Sequence, residues 1–305
     1  MTVSEKHWRH FWKLVTPFVP NRSSLGRLIR ARGCKRFQRP ETLTHEVGHA
    51  QNVFEDFDPL TDVLCLGSSH AALSIHPLAA KTLRFWNAGI INGDLYMDFQ
   101  IYRLLRDKWP WRDGQTVLLC EDFWLPSLQA EFSADFFYSV ILHLVAGMPY
   151  RSAALMGPHE RLFRPYVQSR QPSASVRGYQ PPTPNEDPAT VLPLDERVRR
   201  HLRLASFPPT ELVWQERLRE AVEADGRRLI LFRAPLRQDY LAVLEKAANG
   251  RDVWAPVASA RRGLRLLDYV GAGIPTDGWF DADHLNPVGA AALTPIVERD
   301  LAAPR

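Results

Sequence analysis

A serine near residue 70 and an aspartate–histidine pair near residue 284 have the types and spacing that indicate catalysis. Ser69 follows the apolar run 63–66 and a glycine, so it lies where a buried strand turns into a helix. In open α/β sheets ligands bind at this edge, near a helix N-terminus that favours negative charge. Asp281 precedes His284 by three residues, which lets its carboxylate accept a hydrogen bond from the imidazole Nδ1–H. These residues predict a Ser-His-Asp triad with Ser69 as the nucleophile.

The residues of this predicted triad and their neighbours also have simpler interpretations. A serine at a helix start, whether Ser68 or Ser69, is a common N-cap. Asp283 is a second candidate for orienting His284, although its simple role is a turn or helix cap. His70 is interpreted as a helix-start residue, with substrate contact as the alternative. The order of these segments along alternating strands and helices is what favours a catalytic site.

The elements that must position these residues follow from the hydrophobic pattern. Short apolar runs that predict strands occur at 63–66, 84–94, 115–120 and 228–235, with further short extended segments at 253–256 and 266–270. Helical periodicity lies between them at 95–109, 209–225 and 239–248, and after them at 290–301. Strands that alternate with helices at this spacing require parallel crossovers. The predicted fold is therefore α/β, a three-layer α/β/α sandwich with a mostly parallel sheet.

The predicted domain organisation is a basic N-terminal extension, 1–60, followed by a single α/β domain, 61–305, with a proline-rich insertion at about 166–195. Residues 1–40 carry ten Lys and Arg but one acid, so the remainder has a net charge of about −5. Because the basic character belongs to the extension, nucleic acid is not an expected partner. The chain has three cysteines without metal spacing, which indicates core residues in a reducing compartment.

The N-terminal stretch, up to about residue 18, has aromatic residues at helical spacing among basic ones. Two interpretations stay open: peripheral contact of residues 1–20 with an anionic membrane, or a terminal helix that packs on the body of the protein. The chain has no run of 18 apolar residues and no uncharged signal-peptide core, so we expect neither a spanning helix nor secretion. The expected location is the cytoplasm, with attachment at the inner membrane as the alternative.

A second motif, His45-Glu46-Val-Gly-His49, matches the zinc-protease helix. In that helix two histidines one turn apart bind the metal and the glutamate acts as base. The common extended form has a histidine six residues further on, where this chain has Glu55. A zinc metalloprotease is therefore the alternative function, and a sheet-flanking or surface segment is the simple interpretation. The main prediction includes no metal.

The chain resembles the SGNH or GDSL hydrolase superfamily at three places. Gly-Ser-Ser at 67–69 stands where the family has Gly-Asp-Ser, and Asp-Ala-Asp-His at 281–284 stands where it has Asp-x-x-His. The stretch 87–94, Asn-Ala-Gly-Ile-Ile-Asn-Gly-Asp, looks like the second family block with one residue inserted.

Within that superfamily, the chain is most similar to the bacterial branch related to D-alanyl-transfer proteins and exopolysaccharide O-acetyltransferases. The similarity lies in the Gly-Ser-Ser-His spelling, the strand at 231–236 and the sequence Asp-His-Leu-Asn-Pro-x-Gly-Ala. It covers residues 61–120 and 227–301 and excludes the extension and the insertion. It implies a serine-dependent esterase or O-acyltransferase without a cofactor, acting on a small acyl ester or a glycan. The oligomeric state is left open.

The resemblance also implies an oxyanion hole, formed by the backbone amides of Ser69 and Gly93. The family's third block adds an asparagine side chain, but this chain has Cys-Glu-Asp at 120–122. A carboxylate there would repel the oxyanion, and loss of one donor costs about 100- to 1,000-fold in rate. Three outcomes stay open: Asn87 or Asn92 substitutes, turnover is slow, or the chain is a catalytically silent binding module.

Overall fold

The computed structural model describes residues 40–129, 137–181, 192–261 and 263–303. The chain divides into two compact units, one made of 1–48 and 129–172 and the other of 49–128 and 173–305. The bounds of these units are not those of the predicted extension, 1–60, and single domain, 61–305: residues 49–60 group with the second unit and residues 129–172 with the first. The predicted membrane-contacting segment 1–20 and the middle of the proline-rich insertion, 182–191, lie outside the described residues.

A parallel sheet forms the centre of the second unit. Its described strands are β1 (Val63–Leu66), β2 (Phe85–Asn87), β3 (Thr116–Cys120), β4 (Arg228–Arg233) and β5 (Arg265–Asp268). They pair in the order β2-β1-β3-β4-β5, with Cys65 opposite both Asn87 and Leu118. The predicted α/β/α sandwich with a parallel sheet is confirmed.

One described helix precedes β1, and the others lie between successive strands or after the last one, with four of them between β3 and β4. The described helices are α1 (Pro40–Glu55), α2 (Ser69–Ser74), α3 (Leu95–Arg106), α4 (Phe137–Ala146), α5 (Ala153–Val167), α6 (Leu194–Ala205), α7 (Leu212–Ala224), α8 (Gln238–Ala248), α9 (Ala255–Ala260) and α10 (Pro287–Ala302). The prediction of an extended segment at 253–256 is wrong, because helix α9 begins there. Its first turn contains a proline, and at that position the missing N–H costs the helix no hydrogen bond. None of the described helices combines the length and apolar composition that a bilayer crossing needs.

Both faces of the sheet are covered, which explains its continuous apolar strands. Every residue of β1 and β3 is buried. On one face Cys65, Leu118 and Ile230 share a core cluster with Ala71 of α2 and Leu293 of α10. A strand buried on both faces needs apolar residues at successive positions rather than alternate ones.

The turn after β1 depends on a glycine. Gly67 has φ +135°, and a Cβ on it would lie 2.6 Å from the Cβ of Cys120 on the neighbouring strand. Only glycine fits this conformation and this approach. The strand order reverses beside β1, since the chain runs from β1 to β2 on one side and returns through β3 on the other. Ser69, in the first turn of α2, therefore lies at the switch point where such sheets bind ligands.

Candidate active site

The structure brings the three predicted triad residues together. The Ser69 hydroxyl lies 2.9 Å from Nε2 of His284, although the two residues are 215 positions apart. Nδ1 of His284 lies 3.0 Å from both carboxylate oxygens of Asp281. Ser69 and His284 are partly exposed, so a substrate can reach them. This is the arrangement of nucleophile, base and orienting acid.

The loop that carries the base is held by its own hydrogen bonds. The Asp281 carboxylate accepts the backbone N–H groups of Asp283 and His284 at 3.0 and 2.9 Å. Asn286 then caps α10 by accepting the N–H groups of Val288 and Gly289. These contacts explain the Asp-x-x-His-x-Asn-Pro-x-Gly sequence: the aspartate shapes the turn and the asparagine starts the helix.

Gly289 lets this loop close against the preceding turn. A Cβ at Gly289 would lie 2.1 Å from the carbonyl oxygen of Gly278, so even alanine would clash with the backbone. Asn286 also donates to the carbonyls of Asp277 and Trp279, at 2.6 and 3.2 Å. The loop is therefore fixed from both sides, which pre-sets the position of the imidazole.

Arg197 of α6 lies behind the triad, a contact that the sequence did not predict. Its Nη1 donates to Asp281 Oδ2 at 2.7 Å and to Asp283 Oδ1 at 2.5 Å. Burial lowers the pKa of Arg197, but the two carboxylates outweigh it and raise that pKa above its ordinary value. Burial likewise disfavours the charged form of Asp281, yet the nearby His284 and Arg197 hold its pKa below the usual range.

These contacts assign the tautomer of His284. Nη1 of Arg197 carries two hydrogens, and both are used on carboxylates. Its 3.1 Å approach to Nδ1 of His284 is therefore not a hydrogen bond. We assign the Nδ1 proton to a bond with Asp281, which leaves Nε2 as the lone pair that accepts the Ser69 hydroxyl.

Asp283 and His70 form a second layer beneath the triad. Asp283 is neither the orienting acid nor a helix cap, because it is buried and bonds Arg197 and His70. His70 lies in the first turn of α2, as predicted, and its ring, which is 2% exposed, also lies between the carboxylates of Asp122 and Asp283. Sequence signals for this layer exist: a histidine directly after the nucleophile and an acid at the end of the adjacent strand.

The acidic residues after β3, Glu121 and Asp122, contact cationic and hydroxyl groups of the protein. Glu121 pairs with Arg233 and Arg261, each at 2.8 Å. Asp122 accepts the Ser68 hydroxyl at 2.5 Å and lies 2.6 Å from Nδ1 of His70. Both carboxylates thus have cationic or hydroxyl partners, so neither is an unpaired charge.

One predicted oxyanion donor, Asn87, does not face the site. The structure corrects the prediction for Asn87, which is fully buried: its amide nitrogen donates to the carbonyls of Ala71 and Ile75, and its oxygen accepts the Gly89 N–H. Asn87 thus ends α2 instead of facing a ligand.

The second block is also rearranged. The Gly93 N–H donates to the carbonyl of Ile90 at 2.7 Å, so it is committed to a turn rather than offered to an oxyanion. Asn92 is partly exposed in the same turn, with a left-handed backbone at φ 57°. Of the predicted side-chain donors, Asn92 is the one that stays a candidate.

The zinc-protease motif lies on α1. His49 is 1% exposed, and its nitrogens lie 3.0 Å from the Ser175 hydroxyl and 3.4 Å from the Gly89 carbonyl. His45 lies 4.0 Å from Glu46. Both ring nitrogens of His49 thus contact protein groups, and among the described residues no group of three potential metal ligands includes His45, Glu46 or His49.

Another group of potential metal-ligand atoms belongs to His70, Asp283 and His284, and these atoms lie within 4.8 Å of one another. The Arg197 cation already bonds Asp283 and lies beside His284. We therefore assign no metal to this group.

No protein-family model matches the chain, and neither does any curated protein. The interpretation of the site therefore depends on the geometry itself. That geometry is an α/β/α fold with serine, histidine and aspartate aligned at the carboxyl ends of its strands. Chemically, such an array can remove the proton from a hydroxyl and stabilise the imidazolium that results.

Proposed function

We propose that the protein is a serine-dependent esterase or O-acyltransferase of the SGNH type. The observation that carries the proposal is the 2.9 Å contact between the Ser69 hydroxyl and Nε2 of His284. A serine that only capped a helix would bond a backbone N–H, and that role belongs to Ser68, whose side chain accepts the His70 N–H. The capping interpretation thus accounts for Ser68 and leaves Ser69 for chemistry.

The proposed reaction begins with acylation. His284 Nε2 takes the Ser69 proton as Oγ attacks the carbonyl carbon of an acyl ester, and the new C–O bond places negative charge on the carbonyl oxygen. The Ser69 backbone amide and Asn92 are the proposed donors to that oxyanion. His284 then returns its proton to the leaving alkoxide as the original ester bond breaks.

Deacylation repeats these steps with a new nucleophile. Water or a sugar hydroxyl gives its proton to His284 and attacks the acyl carbon. The bond to Ser69 Oγ then breaks, His284 returns the proton to that oxygen, and an acid or a new ester is released. Asp281 stabilises the imidazolium in both halves, because its carboxylate accepts the Nδ1–H. The resemblance to polysaccharide O-acetyltransferases supports a glycan as the acyl acceptor, and inner-membrane attachment through residues 1–20 stays a prediction.

A fluorophosphonate probe tests the proposal, since it phosphonylates a serine that a neighbouring base activates. We expect labelling of the wild-type chain and loss of labelling in Ser69→Ala. The matched control is Ser259→Ala, which removes an exposed serine on α9. Wild-type protein that takes up no label would favour the silent binding module. Label that persists in Ser69→Ala would remove the nucleophile assignment.

The same assay separates the peptidase alternative. Chelators and His49→Ala are expected to leave the labelling rate unchanged, because His49 makes structural contacts. Zinc bound in stoichiometric amount and lost in His49→Ala would favour the peptidase instead. Product analysis with an acyl ester, with and without an oligosaccharide acceptor, distinguishes transfer from hydrolysis.

A further inference from the structure

Two neighbouring pairs of residues join the nucleophile turn to the loop that carries the base. Ser69 contacts His284. His70, which follows Ser69, contacts Asp283, which precedes His284, with 3.4 Å between His70 Nε2 and Asp283 Oδ2. The rings of His70 and His284 are 5.0 Å apart between centroids. The link through His70 is thus parallel to the catalytic contact and directly beside it.

The other nitrogen of His70 anchors this link to the sheet. Nδ1 lies 2.6 Å from Oδ1 of Asp122, the second residue after β3. The other oxygen of Asp122 accepts the Ser68 hydroxyl, so the same carboxylate holds the turn on both sides of the nucleophile. The rings of Trp124 and His70 pack edge to face, with 5.1 Å between their centroids. All these groups are buried, which leaves the ring one orientation.

The charges that face His70 favour its protonated form. Burial lowers its pKa, but the carboxylates of Asp122 and Asp283 outweigh this effect and raise the pKa to about 10. His201 of α6 faces the same carboxylate, 3.9 Å from Asp283, but burial lowers its pKa to about 3 and it stays neutral. Arg197 is a second cation beside these carboxylates, since it pairs with Asp281 and Asp283.

The charge balance of the cluster suits the proposed chemistry. Three carboxylates, on Asp122, Asp281 and Asp283, face two cations, on His70 and Arg197. The cluster therefore carries one net negative charge while His284 is neutral. Formation of the imidazolium at His284 would neutralise it.

We propose that His70 is a positioning residue whose charged ring ties the Asp283–His284 loop to the nucleophile turn and holds His284 in line with Ser69. The proposal rests on the proposed function for its catalytic meaning, but its structural content does not require turnover. It also gives a role to the acid that replaces the family's third-block asparagine: Asp122 is the counter-ion of His70.

Long-range ¹H–¹⁵N spectra of the imidazoles test the charge directly. Both ring nitrogens of His70 are expected to be protonated at about pH 8, where an ordinary histidine is neutral. Asp122→Asn removes one carboxylate and is expected to abolish this signature. A neutral His70 at that pH in the wild-type chain would overturn the proposal.

His70→Gln tests the positioning role, with His76→Gln as the matched control, because the His76 ring packs on Tyr179 outside the cluster. We expect His70→Gln to shift the His284 ring signals and to lower the fluorophosphonate labelling rate about 100-fold. A role in packing alone would lower the melting temperature but leave the His284 signals in place, which would contradict the proposal. Shifted His284 signals in a chain that never labels would support positioning while refuting the proposed function.

Discussion

Replacing Arg197 by methionine is the most direct test of the buried charges behind the triad. Methionine keeps the length and apolar packing of the side chain but removes its cation. The Arg197 side chain is 14% exposed, and its partners Asp281 and Asp283 are 6% and 0% exposed. The substitution therefore leaves two buried carboxylates without the group that donates to both.

The expected cost follows from this burial. Removing one partner of a buried ion pair costs about 3–5 kcal/mol, because the remaining charge is desolvated and uncompensated. For a unit of this size each kcal/mol lowers the melting temperature by about 2–4 °C. Arg197→Met is thus expected to melt about 6–20 °C below the wild-type chain.

Differential scanning calorimetry measures this shift, and the chain offers a matched control. Arg199 lies two residues away on the same helix, where its side chain is 68% exposed and pairs with Asp195, itself 59% exposed. Such surface pairs contribute about 0.2–1 kcal/mol. Arg199→Met is therefore expected to lower the melting temperature by about 4 °C at most.

A double variant distinguishes the loss of charge from the loss of packing. Adding Asp283→Asn to Arg197→Met removes one of the two buried carboxylates that lose the Arg197 cation, so the double variant is expected to melt above the single one. If Arg197→Met melts no lower than Arg199→Met, the buried network contributes nothing measurable and the argument is refuted.

Two further predictions concern the orienting acid and the final helix. Asp281→Asn is expected to lower the labelling rate of Ser69 about 10⁴-fold, because an amide favours the wrong tautomer of His284; a rate within tenfold of wild type would contradict this. Glu298 of α10 accepts the backbone N–H groups at 81–83; burial raises its pKa, but these bonds outweigh it and lower the pKa to about 2. Its stabilisation is present above its ordinary pKa of 4.5 and is lost as pH falls towards 2. In urea unfolding, Glu298→Gln is expected to lower the free energy of unfolding by about 1.5–3 kcal/mol at about pH 7 and by progressively less towards about pH 2. A loss of unfolding free energy that does not depend on pH would contradict this role of the carboxylate.

The sequence predicted those features that depend on local pattern. The apolar runs around Val63 and Val117 required buried parallel strands, and that requirement set the fold class. The three-residue spacing of Asp281 and His284 required only a turn, which the loop forms with its own backbone. Because parallel strands bring their carboxyl ends to one edge, Ser69 could be placed near that loop without knowledge of the strand order.

The features that the sequence missed depend on which strands are neighbours. His70 and Asp122 are 52 positions apart, and they meet because β1 and β3 are adjacent. Asn87 follows a strand and carries donors, so its pattern resembles that of a ligand-binding residue. Its actual partners are the carbonyls at the end of α2, a contact that depends on how that helix packs. Long-range packing of this kind leaves no periodic signal.

The 215-residue separation between nucleophile and base has a consequence for biosynthesis. On the ribosome, β1 and its serine emerge early, yet the imidazole is made after β5. Closure of so long a loop carries an entropic cost, and contacts this remote form late in folding. If the proposed function holds, reactivity towards acyl compounds is expected only once the nascent chain has released α10 and His284 can reach Ser69.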